Sequence, residues 1–181
     1  MGSHKPSLVV GGLPMVARVL TAARPRPVLV VGRSDDVPDG IPVLAEDPPG
    51  GGPVAAIAAG LGHLRRPTDV VVVLAADLPF VTSAHLDRLV SAALDQPAGS
   101  GPAVTADVDG RLNWLCSAWR HGVLDAAIAH LGDPAGRSMR DLVAGLRPVE
   151  VADPDHVADD VDTPDDLEDA RRRLGDESSP T

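Results

Sequence analysis

A handful of residues have the type and placement to do chemistry. Asp77 directly follows the apolar run VVVLAA in VVVLAADLPF. A carboxylate at the end of a buried strand can hold Mg2+, which takes one or two protein carboxylates and fills its shell with phosphate oxygens and water. The competing reading is local: Asp77 bonds backbone amides in the turn before Pro79. Gly50, Gly51 and Gly52 in EDPPGGGPVAAI run into Pro53, which suits the first position of a helix. Glycines let a ligand approach the backbone, and a helix start offers free amides to an anion. The same residues also read as a surface turn, and the pattern is neither a Walker loop nor GxGxxG. Asp47, just before them, can accept from a nucleobase or ribose, or simply face water. Asp160 and Asp162 alternate along an extended stretch of DDVDTPDDL, so they point the same way and can complete a metal site with Asp77. Lys5 can neutralise a phosphate, although a single lysine is often only solvated. Arg137, ahead of a short helix, is a further candidate to face the site.

Other polar residues are accounted for structurally. Thr163 as N-cap, Pro164 at the first helical position and Asp165 and Asp166 in the first turn make a helix start, so the two carboxylates carry no chemistry. The six histidines show no paired metal-ligand spacing. Cys116 is the only cysteine, which excludes an internal disulfide and a cysteine-based zinc site, and it reads as a buried strand residue. Trp114 and Trp119 read as packing residues.

The elements that must position these groups alternate. Residues 27–32 and 41–44 read as strands and 53–64 as a small-residue helix. Residues 69–75, apolar on both faces, read as the clearest buried strand. Residues 83–94 form a helix with His85, Asp87, Arg88 and Ser91 toward water and Leu86, Leu89, Val90 and Leu94 inward. Strands follow at 102–106 and 112–118 around the polar turn 107–111. Helices follow at 122–131 and 138–144, a strand at 147–151, and a last helix at 163–174 with a basic final turn suited to the helix dipole. This alternation implies a three-layer α/β domain with a mostly parallel sheet, whose ligands sit at the carboxyl ends of the strands.

The totals fit one domain over residues 1–174 and a disordered tail over 175–181. The chain has 181 residues, 44% of them hydrophobic, enough for a sizeable core. The formal net charge of -10 and the lack of tyrosine argue against a nucleic-acid partner. No apolar run approaches the roughly 18 residues that span a bilayer, and no secretory profile opens the chain. A soluble cytoplasmic protein without a membrane partner is expected.

With the segments in this order, the chain resembles the MobA-like nucleotidyltransferases of the molybdenum cofactor guanylyltransferase type. HKPSLVVGGLPMVARVL is similar to the family's DKP segment and first helix, and EDPPGGGPVAAIAAGL to its glycine loop and second helix. VVVLAADLPF is similar to its metal-binding strand, GRLNWLCSAWR to the strand lining the acceptor side, and DVDTPDDL to its closing motif. The resemblance implies a Rossmann-like (GT-A-like) α/β/α fold. It implies transfer of GMP from GTP to a molybdopterin-type acceptor, with pyrophosphate released and Mg2+ as cofactor. Lys5 would contact the phosphates, Asp47, Gly51 and Gly52 the nucleotide, and Asp77 the Mg2+. Asp160 and Asp162 fall near the acceptor and metal, and other molybdenum-cofactor-handling proteins are implied as partners. The family's lysine closes a longer signature, LAGG-x-x-x-R-M-G-x-D-K-P. Met1 and Gly2 match its M-G and His4 stands in place of its Asp, so the chain is expected to begin inside the motif, after the first strand and most of the phosphate loop. The alternatives are a catalytically dead binding or partner protein, and a transferase using CTP or another phosphate acceptor.

Overall fold

A computed structural model describes residues 5–32, 36–64 and 68–175. The expected tail from residue 176 onward and the first four residues lie outside the described part. A 3-10 turn, Lys5–Ser7, leads into a hairpin of β1 (Val9–Val10) and β2 (Leu13–Pro14). Its two-residue turn is Gly11-Gly12, with φ of 60° and 74°. A hairpin turn with both central residues at positive φ favours glycine at each position. The later elements are α1 (Met15–Ala23), β3 (Val30–Val31), β4 (Val43–Leu44), α2 (Pro53–His63), β5 (Val70–Leu74), α3 (Ser83–Asp95), β6 (Ala103–Ala106), β7 (Leu112–Arg120), α4 (His121–Leu131), α5 (Met139–Leu142), β8 (Val149–Ala152) and α6 (Pro164–Arg173).

The main sheet has the order β5-β7-β6-β8. Strand β7 is antiparallel to β5 and β6, whereas β6 and β8 are parallel. Thus β5, β6 and β8 run one way and β7 alone is reversed. The expected mostly parallel sheet therefore holds in strand direction, while the reversed strand sits inside it and makes both its own ladders antiparallel. The reversal has a local cause. Only residues 107–111 separate β6 from β7, too few for a crossover, which needs about a dozen. Asp107 closes that turn: its amide donates to Arg111 O at 3.0 Å, and its Oδ1 accepts from the amides of Asp109 and Arg111. Strands β3 and β4 make a separate parallel ladder. Among the described residues no strand joins β3 to β5.

Alternation along the strands builds the layers. Val70, Val72 and Leu74 of β5, with Cys116 and Ala118 of β7, face one side, where α1 and α3 pack through Val19, Ala23, Leu86 and Leu89. Val71, Val73, Leu115 and Trp119 face the other, against α2, α4 and α5 through Val54, Leu124 and Leu142. A third cluster, Val10, Met15, Val161 and Ala170, joins the hairpin to α6. No helix among the described residues is long and apolar enough to cross a membrane.

One expectation is overturned on α3. His85 is 1% exposed, while Leu94 is 43% exposed. The buried face runs through His85, Leu86, Leu89 and Ala93, because the imidazole finds partners that periodicity cannot reveal. Arg88 donates to Nδ1 at 2.7 Å, which leaves Nε2 to donate to Thr105 Oγ1 at 2.8 Å, and the Thr105 hydroxyl donates to Cys116 O at 2.9 Å. Burial holds the His85 pKa below 6.5, Asp153 opposing that shift and Arg88 adding to it. The folded state therefore takes up this proton less readily than the unfolded chain. The contribution is fully present above about pH 6.5 and is lost as pH falls through the folded value. Denaturant titrations from pH 7.5 to 5 should show stability falling below about pH 6.5, by at most about 1.4 kcal/mol per pH unit from this group. His85→Gln should flatten that limb; an unchanged limb would assign the proton elsewhere.

Candidate active site

The loop after β5, and the loop after β4 of the separate ladder, carry most of the predicted residues. In the first, Asp77 lies half-buried three positions beyond β5. Its backbone oxygen accepts from the amide of Val161 at 3.2 Å. Val161 is 1% exposed, so Asp160 and Asp162 emerge on either side of a buried anchor and are both exposed. The backbone bond thus brings the Asp77 turn and the DVD motif together, but the three carboxylates do not form a metal-holding group among the described residues. Thr163 and Asp166 form the expected capping box on α6. Asp166 Oδ2 accepts from the amides of Asp162 and Thr163 at 3.0 and 2.7 Å, which fixes the backbone at Asp162.

Two arginines that the sequence pattern does not mark tie this corner together. Arg18 donates from Nε to Pro79 O at 3.0 Å and from a terminal nitrogen to Val10 O at 3.3 Å, linking the turn after Asp77 to the hairpin. Arg173 lies 3.9 Å from the Phe80 ring centroid and donates to Asp155 O and His156 O at 2.5 and 2.9 Å. Its role is these tertiary contacts as well as the helix dipole. Neither set of tertiary contacts leaves a local sequence signal, because each partner is distant along the chain.

The second loop is EDPPGGG. Gly50 N donates to Glu46 Oε2 and Gly51 N to Pro48 O, both at 3.0 Å. A Cβ on Gly51 would stand 2.8 Å from the Ala55 Cβ, so no side chain fits there. Gly52, the N-cap of α2, has φ of 87° and open space before it. Asp47 is exposed on the same loop. Gly136 N donates to Gly51 O at 2.9 Å, which sets Arg137 beside the glycine loop. Arg137 itself reaches back to Asp133 O at 3.4 Å. Lys5 opens the 3-10 turn before β1, and its side chain lies outside the described part. The predicted residues thus fall on three segments: Lys5 ahead of the hairpin, Asp47 and the glycines before α2, and Asp77 with the DVD motif.

A cavity of about 440 Å³ opens beside Asp160, at the ends of β6, β7 and β8. Its floor is held by Asp153, whose two oxygens accept from Val157 N and Ala158 N at 3.0 and 2.8 Å, and by Asn113, which donates to Ala158 O at 2.9 Å. Trp114 is half-buried and lines it, whereas Trp119 is fully buried, as a packing residue should be. A larger cavity of about 610 Å³ lies at the opposite edge, around Asp69, Arg120 and His121. Some of its polar groups are engaged structurally: Arg120 donates from a terminal nitrogen to Leu94 O and Gln96 O, and His121 accepts from Thr68 N, while the buried Arg120 Nε has no partner among the described residues. Of the predicted site residues, Asp160 lines the smaller cavity. Cys116 offers no nucleophile, since burial pushes its thiol up to about 11.

Among the described residues, no group of three or more His, Cys, Asp or Glu side chains is arranged to hold a metal ion. The arrangement can instead present single carboxylates to a cation that brings its own phosphate and water ligands. Arg173→Ala should cost about 1–2 kcal/mol, from the lost ring and carbonyl contacts. It should also speed hydrogen exchange at the Val161 amide, read by NMR. Unchanged exchange there would show that α6 does not hold the two loops together.

Residues 1–151 match the MobA-like NTP transferase domain. The molybdenum cofactor guanylyltransferase of Mesorhizobium japonicum is 30% identical over 190 aligned residues, covering 96% of this chain and 88% of that protein. Among solved structures, the molybdopterin-guanine dinucleotide biosynthesis protein A of Archaeoglobus fulgidus has a TM-score of 0.74 at 20% identity, covering 97% of this chain and 92% of that one. The 2-C-methyl-D-erythritol 4-phosphate cytidylyltransferase of Thermus thermophilus has a TM-score of 0.67 at 22% identity, covering 96% and 95%. The three-layer fold and the match over most of its length agree: the chain is a nucleotidyltransferase and belongs to the MobA-like NTP transferase family.

Proposed function

We propose that the protein is a cytoplasmic, Mg2+-dependent transferase that moves GMP from GTP to a molybdopterin-type phosphate acceptor and releases pyrophosphate. The observation that supports this reading is the Val161–Asp77 backbone bond, which joins the Asp77 turn to the segment of Asp160 and Asp162, with Asp160 lining a cavity of about 440 Å³. The name of the Mesorhizobium relative supplies the guanylyl group and the acceptor. The donor set suits Mg2+: single carboxylates, half-buried or exposed, with no closed cage among the described residues. Asp77 would hold the ion, with Asp160 or Asp162, and Mg2+ there supplies positive charge against the triphosphate.

In the reaction, an oxygen of the acceptor's terminal phosphate attacks the α-phosphorus of GTP. The new phosphorus–oxygen bond forms as the bond to the β-phosphate oxygen breaks, and pyrophosphate leaves. Catalysis then rests on placement and charge, with no covalent enzyme intermediate. Gly51 and Gly52 let the nucleotide approach the backbone at the start of α2, Asp47 accepts from base or ribose, and Lys5 neutralises phosphate charge. A second reading, a binding protein without turnover, is favoured by the lack, among the described residues, of three carboxylates arranged to hold a metal ion.

Calorimetric titration with GTP and Mg2+, with CTP and ATP as comparators, separates the readings. GTP should bind only with Mg2+ and in preference to CTP, and Asp77→Asn should weaken it at least tenfold, about 1.4 kcal/mol. Tighter binding of CTP would overturn the choice of base. A folded chain that binds no nucleotide would favour the second reading.

A further inference from the structure

The pairing of β7 is uneven on its two sides. Against β5 it is regular, from Val70↔Arg120 to Leu74↔Cys116. Against β6 the register jumps, from Val104↔Ser117 directly to Thr105↔Asn113. Trp114, Leu115 and Cys116 are therefore bulged out of the β6 ladder. Bulges bend a strand and re-aim its side chains. Here the exposed product is Trp114, half-buried in the wall of the 440 Å³ cavity.

The bulge is held by buried side chains. Ser117 Oγ donates to Trp114 O at 2.7 Å and accepts from Trp119 Nε1 at 2.8 Å. The Thr105 hydroxyl donates to Cys116 O while it accepts from His85. His85, Thr105, Ser117 and Trp119 are all 0–2% exposed. A fully satisfied polar network in a core costs little and fixes one geometry, whereas a partly satisfied one is destabilising. Most of the cavity's other polar groups are already spent. Asp153 and Asn113 hold the floor, and Asp107 holds its own turn. Besides the carboxylates of Asp159 and Asp160, what is left to face a ligand is Trp114, Met139 and Arg111, whose guanidinium has no hydrogen-bond partner among the described residues.

We propose that Trp114 reads the acceptor by stacking on a flat heteroaromatic ring, and that Thr105 and Ser117 are the positioning residues that aim it. The proposal rests on the transferase reading only in calling the ligand the acceptor. An indole face gains about 1–3 kcal/mol from a stacked base-like ring. A polyol phosphate offers no such face. Arg111 at the rim is placed to donate to polar ring-edge atoms.

The test uses the full chain and two probes, 6-hydroxymethylpterin monophosphate and erythritol 4-phosphate, with affinities measured by calorimetry. The pterin phosphate should bind the unmodified protein more tightly than the polyol phosphate. Trp114→Ala should weaken the pterin phosphate at least tenfold, and Trp114→Phe should restore most of that loss. Tryptophan emission should be quenched on saturation, and the quench should vanish in Trp114→Phe. Thr105→Val should weaken the same probe, with Thr105→Ser restoring it, because only the hydroxyl is needed to hold Cys116 O. Equal affinity of Trp114→Ala and unmodified protein, no binding of the pterin phosphate, or tighter binding of erythritol 4-phosphate would overturn the assignment. GTP binding is measured alongside. If GTP fails to bind while the pterin phosphate still depends on Trp114, the transferase reading falls and this one stands.

Discussion

The hydrogen bond from Val161 N to Asp77 O ties the Asp77 turn to the segment of Asp160 and Asp162. It joins segments far apart along the chain, so neither segment holds the geometry alone. Val161 is buried among Val10, Met15 and Ala170, and that apolar contact keeps water from competing for the bond. Asp160 and Asp162 are carried outward on the two sides of this anchor. Arg18 and Arg173 brace the same corner from α1 and α6. The placement of Asp160 and Asp162 thus depends on a small satellite core under the hairpin as well as on the main sheet.

The main sheet supplies the platform. Period-two alternation along β5 and β7 divides two apolar layers, and the reversed β7 carries its early residues to the edge where β5, β6 and β8 end. One reversed strand therefore adds side chains to the ligand edge that an all-parallel sheet would place at the other end. The bulge in β7 exploits this position, since it lies where the strand meets the cavity. The cost is a set of polar groups in the core, each of which must find a partner.

Much of this is legible locally. Strand β5, the glycines before Pro53, the Thr163 cap and the outward alternation of Asp160 and Asp162 all follow from short-range patterns, and the structure keeps them. The apolar run over residues 27–32 suggests one strand, but only Val30–Val31 pairs, because only β4 is beside it among the described residues. Periodicity turns His85 toward water, since it treats an imidazole as polar and cannot see the Arg88 and Thr105 partners. Trp114 reads as packing, since nothing in LNWLCSAW announces a bulge. The roles of Arg18, Asp153 and Arg173 are illegible for one reason: each bonds backbone atoms that only the folded chain brings near. Glu46 leaves a fainter trace, as an acid four positions before a glycine turn.

The most direct test of the account is where a metal–nucleotide complex sits. Mn2+ with GTP broadens backbone amide signals near the ion, in a 15N-labelled sample of the full chain. The account predicts selective broadening at Asp77, Val161 and Gly52, with Asp69 and His121 unaffected. Broadening around Asp69 and His121 instead, at the larger cavity, would contradict it and move the site to the opposite edge of the sheet.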